Sequence, residues 1–187
     1  MTTQTILGWT WALMGVYWLL SALRTKKTEI NEAQGWRIMR LSLLCVVFTL
    51  LLTDRLRIGF LGWRFVPEYS WNQWIGIALT LAGLAICVWA RQHLGEYWSD
   101  KVVLKVDHQL IRSGPYAFLR HPIYSGVLLA IAGSALAIGE WRGVLALLAM
   151  TINYWVKARR EDSILSLKFG DEFEEHKRRA GLLLPRF

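Results

Sequence analysis

Residues 122–156 read PIYSGVLLAIAGSALAIGEWRGVLALLAMTINYWV. Two uncharged apolar runs, 122–139 and 143–156, are separated only by Glu140-Trp141-Arg142, with Gly139 and Gly143 on either side. Runs of that length exceed a strand, and a short polar break between glycines suits a tight turn. The pattern predicts a helical hairpin. Working outward, residues 4–23 carry no charge, and neither do residues 69–90. A shorter block at 41–53 extends back to Trp36 across Arg37 and Arg40. A spanning helix needs about 20 mostly apolar residues. The blocks at 4–23 and 69–90 meet that alone, whereas those at 41–53 and 143–156 need polar flanks that snorkel to the interface. The expected fold is an all-α integral membrane protein with about five transmembrane helices. The first block lacks a basic leader and an A-x-A site, so it reads as an uncleaved span.

Composition agrees. Of 187 residues, 54% are hydrophobic and 19% charged, which leaves far too much apolar surface for a disordered chain. Cys45 and Cys87 both lie in apolar runs, which excludes a disulfide scaffold. The length suits one structural domain. Within it, residues 1–90 form an N-terminal three-span region, and residues 91–187 carry the polar segments and the hairpin.

The net charge of +8 invites a nucleic-acid reading, but the distribution opposes it. Lys and Arg number none before the first span, five in 24–40, three in 55–64, five in 91–120, one in the hairpin turn and eight from Lys157 onward. On alternate sides that is eighteen against four, the asymmetry of the positive-inside rule. It puts the N-terminus outside, with the 91–121 connection and the C-terminal tail in the cytoplasm. The basic excess then meets anionic lipid headgroups, and no nucleic acid is needed. Eleven Trp fit the same picture. Trp9, Trp11, Trp63, Trp71, Trp74 and Trp141 fall near the outer boundary, and Trp36, Trp98 and Trp155 near the inner one, where indoles anchor. Gly126, Ala130 and Ser134, with Gly133 and Ala137 one step round, give the fourth span a small-residue face, and Gly76 and Gly83 do so for the third.

Two polar segments have the look of a site. The first, RQHLGEYWSDKVVLKVDHQLIRSGPYAFLRH over 91–121, is long for a loop and rich in aromatic and β-branched residues. Lys101–Val106 suits a short strand, and Ser113-Gly114-Pro115 a turn. Arg120-His121-Pro122 then opens the fourth helix, with Pro122 where a missing N–H costs nothing. The N–H groups of that first turn favour an anion, with Arg120 and His121 beside them. The plainer alternative has Arg120 snorkelling to headgroups and His121 merely capping the helix. The second segment is the tail from Lys157. Lys157 and Glu161 share a helix face at i, i+4. Ile164, Leu165, Leu167, Phe169 and Phe173 give an uneven apolar stripe, interrupted at Phe169-Gly170. The acidic residues suit a helix folded back over the hairpin better than one lying on the bilayer. The four His have no metal-ligand spacing, so no metal is expected.

Four elements together resemble the isoprenylcysteine carboxyl methyltransferase family, within the wider group of membrane methyltransferases that includes phospholipid N-methyltransferases. They are His108-x-Leu110-x-x-x-Gly114-x-Tyr116, Arg120-His121-Pro122-x-Tyr124-x-Gly126, Glu161-Asp162-x-x-Leu165-x-x-x-Phe169-Gly170-x-x-Phe173, and Leu184-Pro185. The resemblance runs from about residue 90 to the end. It implies S-adenosylmethionine in a cytosol-facing pocket, with contacts at Lys101, His108, Gln109, Leu110, Ile111, Tyr116, His121, Pro122, Ile123, Tyr124 and Glu161. Arg120, Glu161 and Lys157 are the expected catalytic residues. Two departures stand out: Lys157 occupies a position where many relatives carry Arg, and Asp162 replaces a common Glu. A Lys pairs with a carboxylate as a point charge and not as a planar fork.

The chemistry is coherent on its own terms. Methyl transfer from a sulfonium asks the protein mainly to position and desolvate. Glu161 suits the donor's ammonium, Arg120 and His121 its carboxylate, and Tyr116 or Tyr124 its adenine. The acceptor is expected to be apolar and to arrive from the bilayer: a prenylated cysteine carboxylate, a lipid amine or a small thiol. Two other classes stay open. One is an NADPH-dependent membrane reductase, for which the sequence offers no extra basic pocket for a 2′-phosphate. The other is a non-enzymatic membrane scaffold.

Overall fold

The computed structural model describes residues 2–23, 34–95 and 110–186. Six α-helices form among them: α1 (Thr3–Ala22), α2 (Gln34–Leu52), α3 (Ser70–Leu94), α4 (Pro122–Ile138), α5 (Trp141–Phe169) and α6 (Asp171–Arg179). Each apolar block of the sequence becomes one helix. The fifth block and the polar tail are a single 29-residue helix, α5, ended by Gly170 at φ +50°. The expected strand at 101–106 and the anchor Trp98 lie outside the described residues. Helices α1 and α3 are long and apolar enough to cross a membrane, while α4 and the apolar part of α2 are shorter. Leu13, Leu19, Leu20, Trp71, Trp74 and Ile152 are all more than half exposed. Water rarely tolerates so much contiguous apolar surface, and a bilayer solvates it.

The tightest packing joins α3 to α4. A Cβ on Gly76 would lie 2.5 Å from Gly133 O, and one on Gly133 would lie 2.5 Å from Thr80 N. Gly83 and Gly126 approach each other's backbone in the same way. The small-residue faces of the two spans are thus the seam. Polar side chains lock it. Thr80 Oγ1 bonds Gly76 O at 2.9 Å and Ala130 O at 3.2 Å, and lies 3.2 Å from Ser134 Oγ. Trp11 Nε1 donates to Ser134 Oγ at 3.0 Å, which ties α1 to the seam. This corrects the reading of Trp11 as an interface anchor: it is buried, and its indole N–H, which needs an acceptor in an apolar interior, finds Ser134. Trp9, Trp63, Trp71, Trp74 and Trp141 are exposed.

The link between α4 and α5 is more than a polar turn. Gly139, at φ +70°, ends α4, and Gly143 lets α5 start against Ala135. Arg142 is fully buried: its Nε reaches Glu140 at 2.7 Å, Nη1 reaches the carbonyls of Leu50 and Thr53, and Nη2 lies 3.4 Å from Asp54. Arg57 completes Glu140 at 2.9 Å. At the other end of α5, Gly170 turns the chain into α6, whose Phe173 and His176 are buried. The sequence reading expects the tail as a helix folded back over the hairpin; residues 157–169 instead continue α5, only the chain after Gly170 turns, and Leu167 faces outward, 89% exposed, and does not belong to the buried stripe.

Candidate active site

The site is built where the start of α4 meets the polar half of α5. His121 is the residue before α4, and Pro122 occupies its first turn. The chain before it is held by the C-terminal tail. Arg120 N donates to Gly181 O at 2.8 Å, Gly181 N donates to Phe118 O at 3.1 Å, and Ser125 Oγ donates to Leu183 O at 2.7 Å. On α5, residues 154, 157, 158, 161 and 162 fall at i, i+3, i+4, i+7 and i+8, one face of a helix. That face meets α4.

Across it the charges pair closely. Arg120 Nη1 donates to Asp162 Oδ2 at 2.7 Å. His121 Nε2 lies 2.9 Å from Asp162 Oδ1, and its Nδ1 lies 3.2 Å from Glu161 Oε2. Tyr124 Oη donates to Glu161 Oε1 at 2.7 Å. A doubly protonated imidazole donates to both carboxylates at once. Burial works against that charge, but the hydrogen bonds to Asp162 and Glu161 outweigh it and hold the His121 pKa above its ordinary 6.5. Burial likewise opposes the Glu161 carboxylate, yet His121, Lys157 and Tyr124 together keep its pKa below the usual 4.5. The His121 and Tyr124 rings lie parallel, 5.3 Å between centroids and 3° between planes. Tyr154 stacks on Tyr124 at 4.6 Å and 7°, and Lys157 Nζ sits 5.1 Å from the Tyr124 centroid.

An apolar wall adjoins this ion cluster. Tyr116 and Ile123 are buried with Ala90, and Ile111, Leu94, Trp18 and Tyr124 pack against them. Tyr116 is set by a turn at Gly114–Ala117, which Gly114 enters at φ +57° against the His93 ring.

The structure thus brings together Arg120, His121, Tyr124, Lys157 and Glu161, with Ile111, Tyr116 and Ile123 alongside; Pro122 is buried and Leu110 half-buried. Lys101, His108 and Gln109 lie outside the described residues. Arg120 is a tight partner of Asp162, which disfavours the plainer alternative of an arginine that snorkels to headgroups. Sequence reasoning gave Asp162 no role, and it is the carboxylate that both Arg120 and His121 use. It also passed over Tyr154, whose signal was its place on the Lys157–Glu161 face.

Comparison with known proteins fits this geometry. Residues 74–166 match the isoprenylcysteine carboxyl methyltransferase (ICMT) family. The chain is 32% identical to the cobalt-zinc-cadmium resistance protein CzcN of Cupriavidus metallidurans, over 71% of this chain and 65% of that protein. It is 27% identical to a probable protein-S-isoprenylcysteine O-methyltransferase of Oryza sativa subsp. indica, over 64% of each. Among solved structures it resembles the eukaryotic intramembrane Ras methyltransferase ICMT, with TM-score 0.57 and 22% identity, covering 84% of this chain and 54% of that one. That likeness establishes a shared fold. The chain spans less than about two thirds of the length of the curated relatives it matches.

Proposed function

We propose that this chain, whose residues 74–166 belong to the isoprenylcysteine carboxyl methyltransferase family, transfers a methyl group from S-adenosylmethionine to the carboxylate of a membrane-embedded prenylated cysteine. The observation that carries the reading is the closure of His121 and Tyr124 on Glu161, which links two polar segments about forty residues apart. When bound, S-adenosylmethionine supplies a methyl carbon activated by its sulfonium. The residues fit such a donor. Glu161 Oε1 accepts from Tyr124 and Oε2 pairs with His121 Nδ1 at 3.2 Å, and each oxygen keeps a lone pair for an ammonium. Arg120 Nε is buried with no hydrogen-bond partner among the described residues, and the first-turn N–H groups of α4 add positive potential beside it. A carboxylate suits that corner. Ile111, Tyr116 and Ile123 suit the adenine.

The chain's own part is positional and electrostatic. Asp162 fixes Arg120 and the His121 ring, His121 and Tyr124 orient Glu161, and the buried corner keeps water from competing with the acceptor. Lys157, beside Glu161 and over Tyr124, supplies positive charge for an acceptor carboxylate. The acceptor is itself the nucleophile, so no triad is required. Lys101, His108, Gln109 and Leu110 complete the donor pocket in this reading.

The finer architecture belongs to the same proposal. Five helices span the bilayer, α4 and α5 form a hairpin, and the N-terminus lies outside. The site and tail face the cytosol, in contact with anionic lipid. Residues 1–90 shape the acceptor's side, and residues 91–187 bind the donor. The test is incubation of the purified chain with methyl-labelled S-adenosylmethionine and a panel of prenylcysteine, lipid-amine and thiol acceptors. Mass analysis is expected to find a prenylcysteine methyl ester. Label on the amine or thiol alone would move the acceptor, and no labelled product would remove the reading.

A further inference from the structure

Tyr154 is the one ring of the parallel set that no motif accounts for. It lies in the apolar part of α5, two turns before Glu161, and its neighbours Ile152, Trp155 and Val156 face outward. Its own ring turns inward and lies on Tyr124 at 4.6 Å with 7° between planes. Among the described residues Tyr124 is also held through its hydroxyl on Glu161, its contacts with His121 and Lys157, and its packing beside Tyr116 and Ile123. A phenol pivots about its Cα–Cβ and Cβ–Cγ bonds. Rotation about Cβ–Cγ leaves the hydroxyl oxygen on its axis, but rotation about Cα–Cβ swings it through several ångströms unless the ring is held in place. Stacking from α5 holds it, and aromatic pairs of this kind add more than their buried area alone.

We infer that Tyr154 is a positioning residue of the donor site: its stacked ring blocks the swing of Tyr124 about Cα–Cβ, so that the Tyr124 hydroxyl stays on Glu161. The inference rests on the methyl-donor reading above. It assigns Tyr154 no contact with the reacting atoms. It also identifies which part of Tyr154 matters: the ring, and not the hydroxyl.

The experiment is calorimetric titration of S-adenosylmethionine into the full chain in lipid nanodiscs. The variants are Tyr154→Phe, Tyr154→Leu, Tyr124→Phe and the Tyr154→Leu/Tyr124→Phe pair. Tyr154→Phe keeps the stack and should bind within about twofold of the native chain. Tyr154→Leu should weaken binding about tenfold. In the Tyr124→Phe background there is no hydroxyl left to aim, so the same Tyr154→Leu change should cost less than about twofold. A purely structural role would give the same tenfold loss in both backgrounds, and that result overturns the inference, as does native-like binding by Tyr154→Leu. If Tyr154→Leu does not yield folded protein, Tyr154→Met replaces it in both backgrounds with the same expectations. Absence of binding by the native chain would instead remove the donor reading itself, and this inference with it.

Discussion

His121 is the residue on which the site's charge balance turns. Among the described residues it is the only side chain that pairs with both acidic residues of α5. Because its pKa is raised in the folded chain, its contribution to stability is full below about pH 6.5 and is lost as pH rises through the higher folded value. Glu161 works in the opposite sense. Its pKa is lowered, so its contribution is full above about pH 4.5 and is lost as pH falls through the lower folded value. On the acid side His176 interferes, since burial and the nearby Arg112 and Arg120 lower its pKa. The alkaline limb therefore isolates His121. Melting temperature should fall as pH is raised from about 7.5, where His176 is neutral in both states, to about 9, and His121→Gln should flatten that fall. A His121→Gln profile parallel to the native one would contradict the double hydrogen bond. The residue types at this corner were legible in the sequence, as Arg-His-Pro before an apolar run and Glu-Asp after one. What was not legible is that Asp162 serves both Arg120 and His121. That pairing depends on the rotation of α5 about its axis, which packing sets and local sequence does not.

At the scale of elements, the helices follow from apolar run length, and their ends follow from Gly139, Gly170 and Pro122. The α3–α4 seam was equally legible, because only glycine and alanine let two backbones come this close. A Cβ at Gly83 would sit 2.5 Å from Ala130 N, with Gly126 O nearer still. Gly83→Ala should therefore cost about 1–3 kcal/mol through overpacking. Gly8→Ala, with nothing within 4 Å, should cost nothing measurable. Thermal unfolding of the two variants side by side checks this, and equal melting points would mean that the seam is looser than described. Trp11 was misread at this scale. Tryptophan near a span end normally anchors at the interface, but the partner that draws this one inward, Ser134, is 123 residues away. No local pattern reports such a pairing.

For the whole molecule, two polar clusters organise opposite ends of α5. One is the site at its polar half. The other is the buried Arg142 with Glu140, Asp54 and Arg57, which fastens the α4–α5 link to the end of α2 and the loop after it. Sequence reading saw Arg142 only as a charge in a turn. Burial makes it a tether, since a guanidinium there must be paired. Arg142→Met leaves Glu140 paired with Arg57 but takes the donor from the carbonyls of Leu50 and Thr53, so a loss of about 1–3 kcal/mol is expected. Donor affinity should stay near native, because the site is built from the other end of α5. Unfolding and donor titration on the same sample check both halves. A native-like melting point would contradict the tether.

The proposed methyl transfer requires that the start of α4, closed against the polar half of α5, hold a sulfonium nucleotide. Equilibrium binding of radiolabelled S-adenosylmethionine to the purified full chain in nanodiscs tests it most directly. The native chain should bind saturably at one site, and Glu161→Gln and His121→Ala should each weaken binding at least about tenfold, as expected when a charge-assisted contact is lost. Saturable binding that both variants retain unchanged, or no binding by a folded native chain, would contradict it.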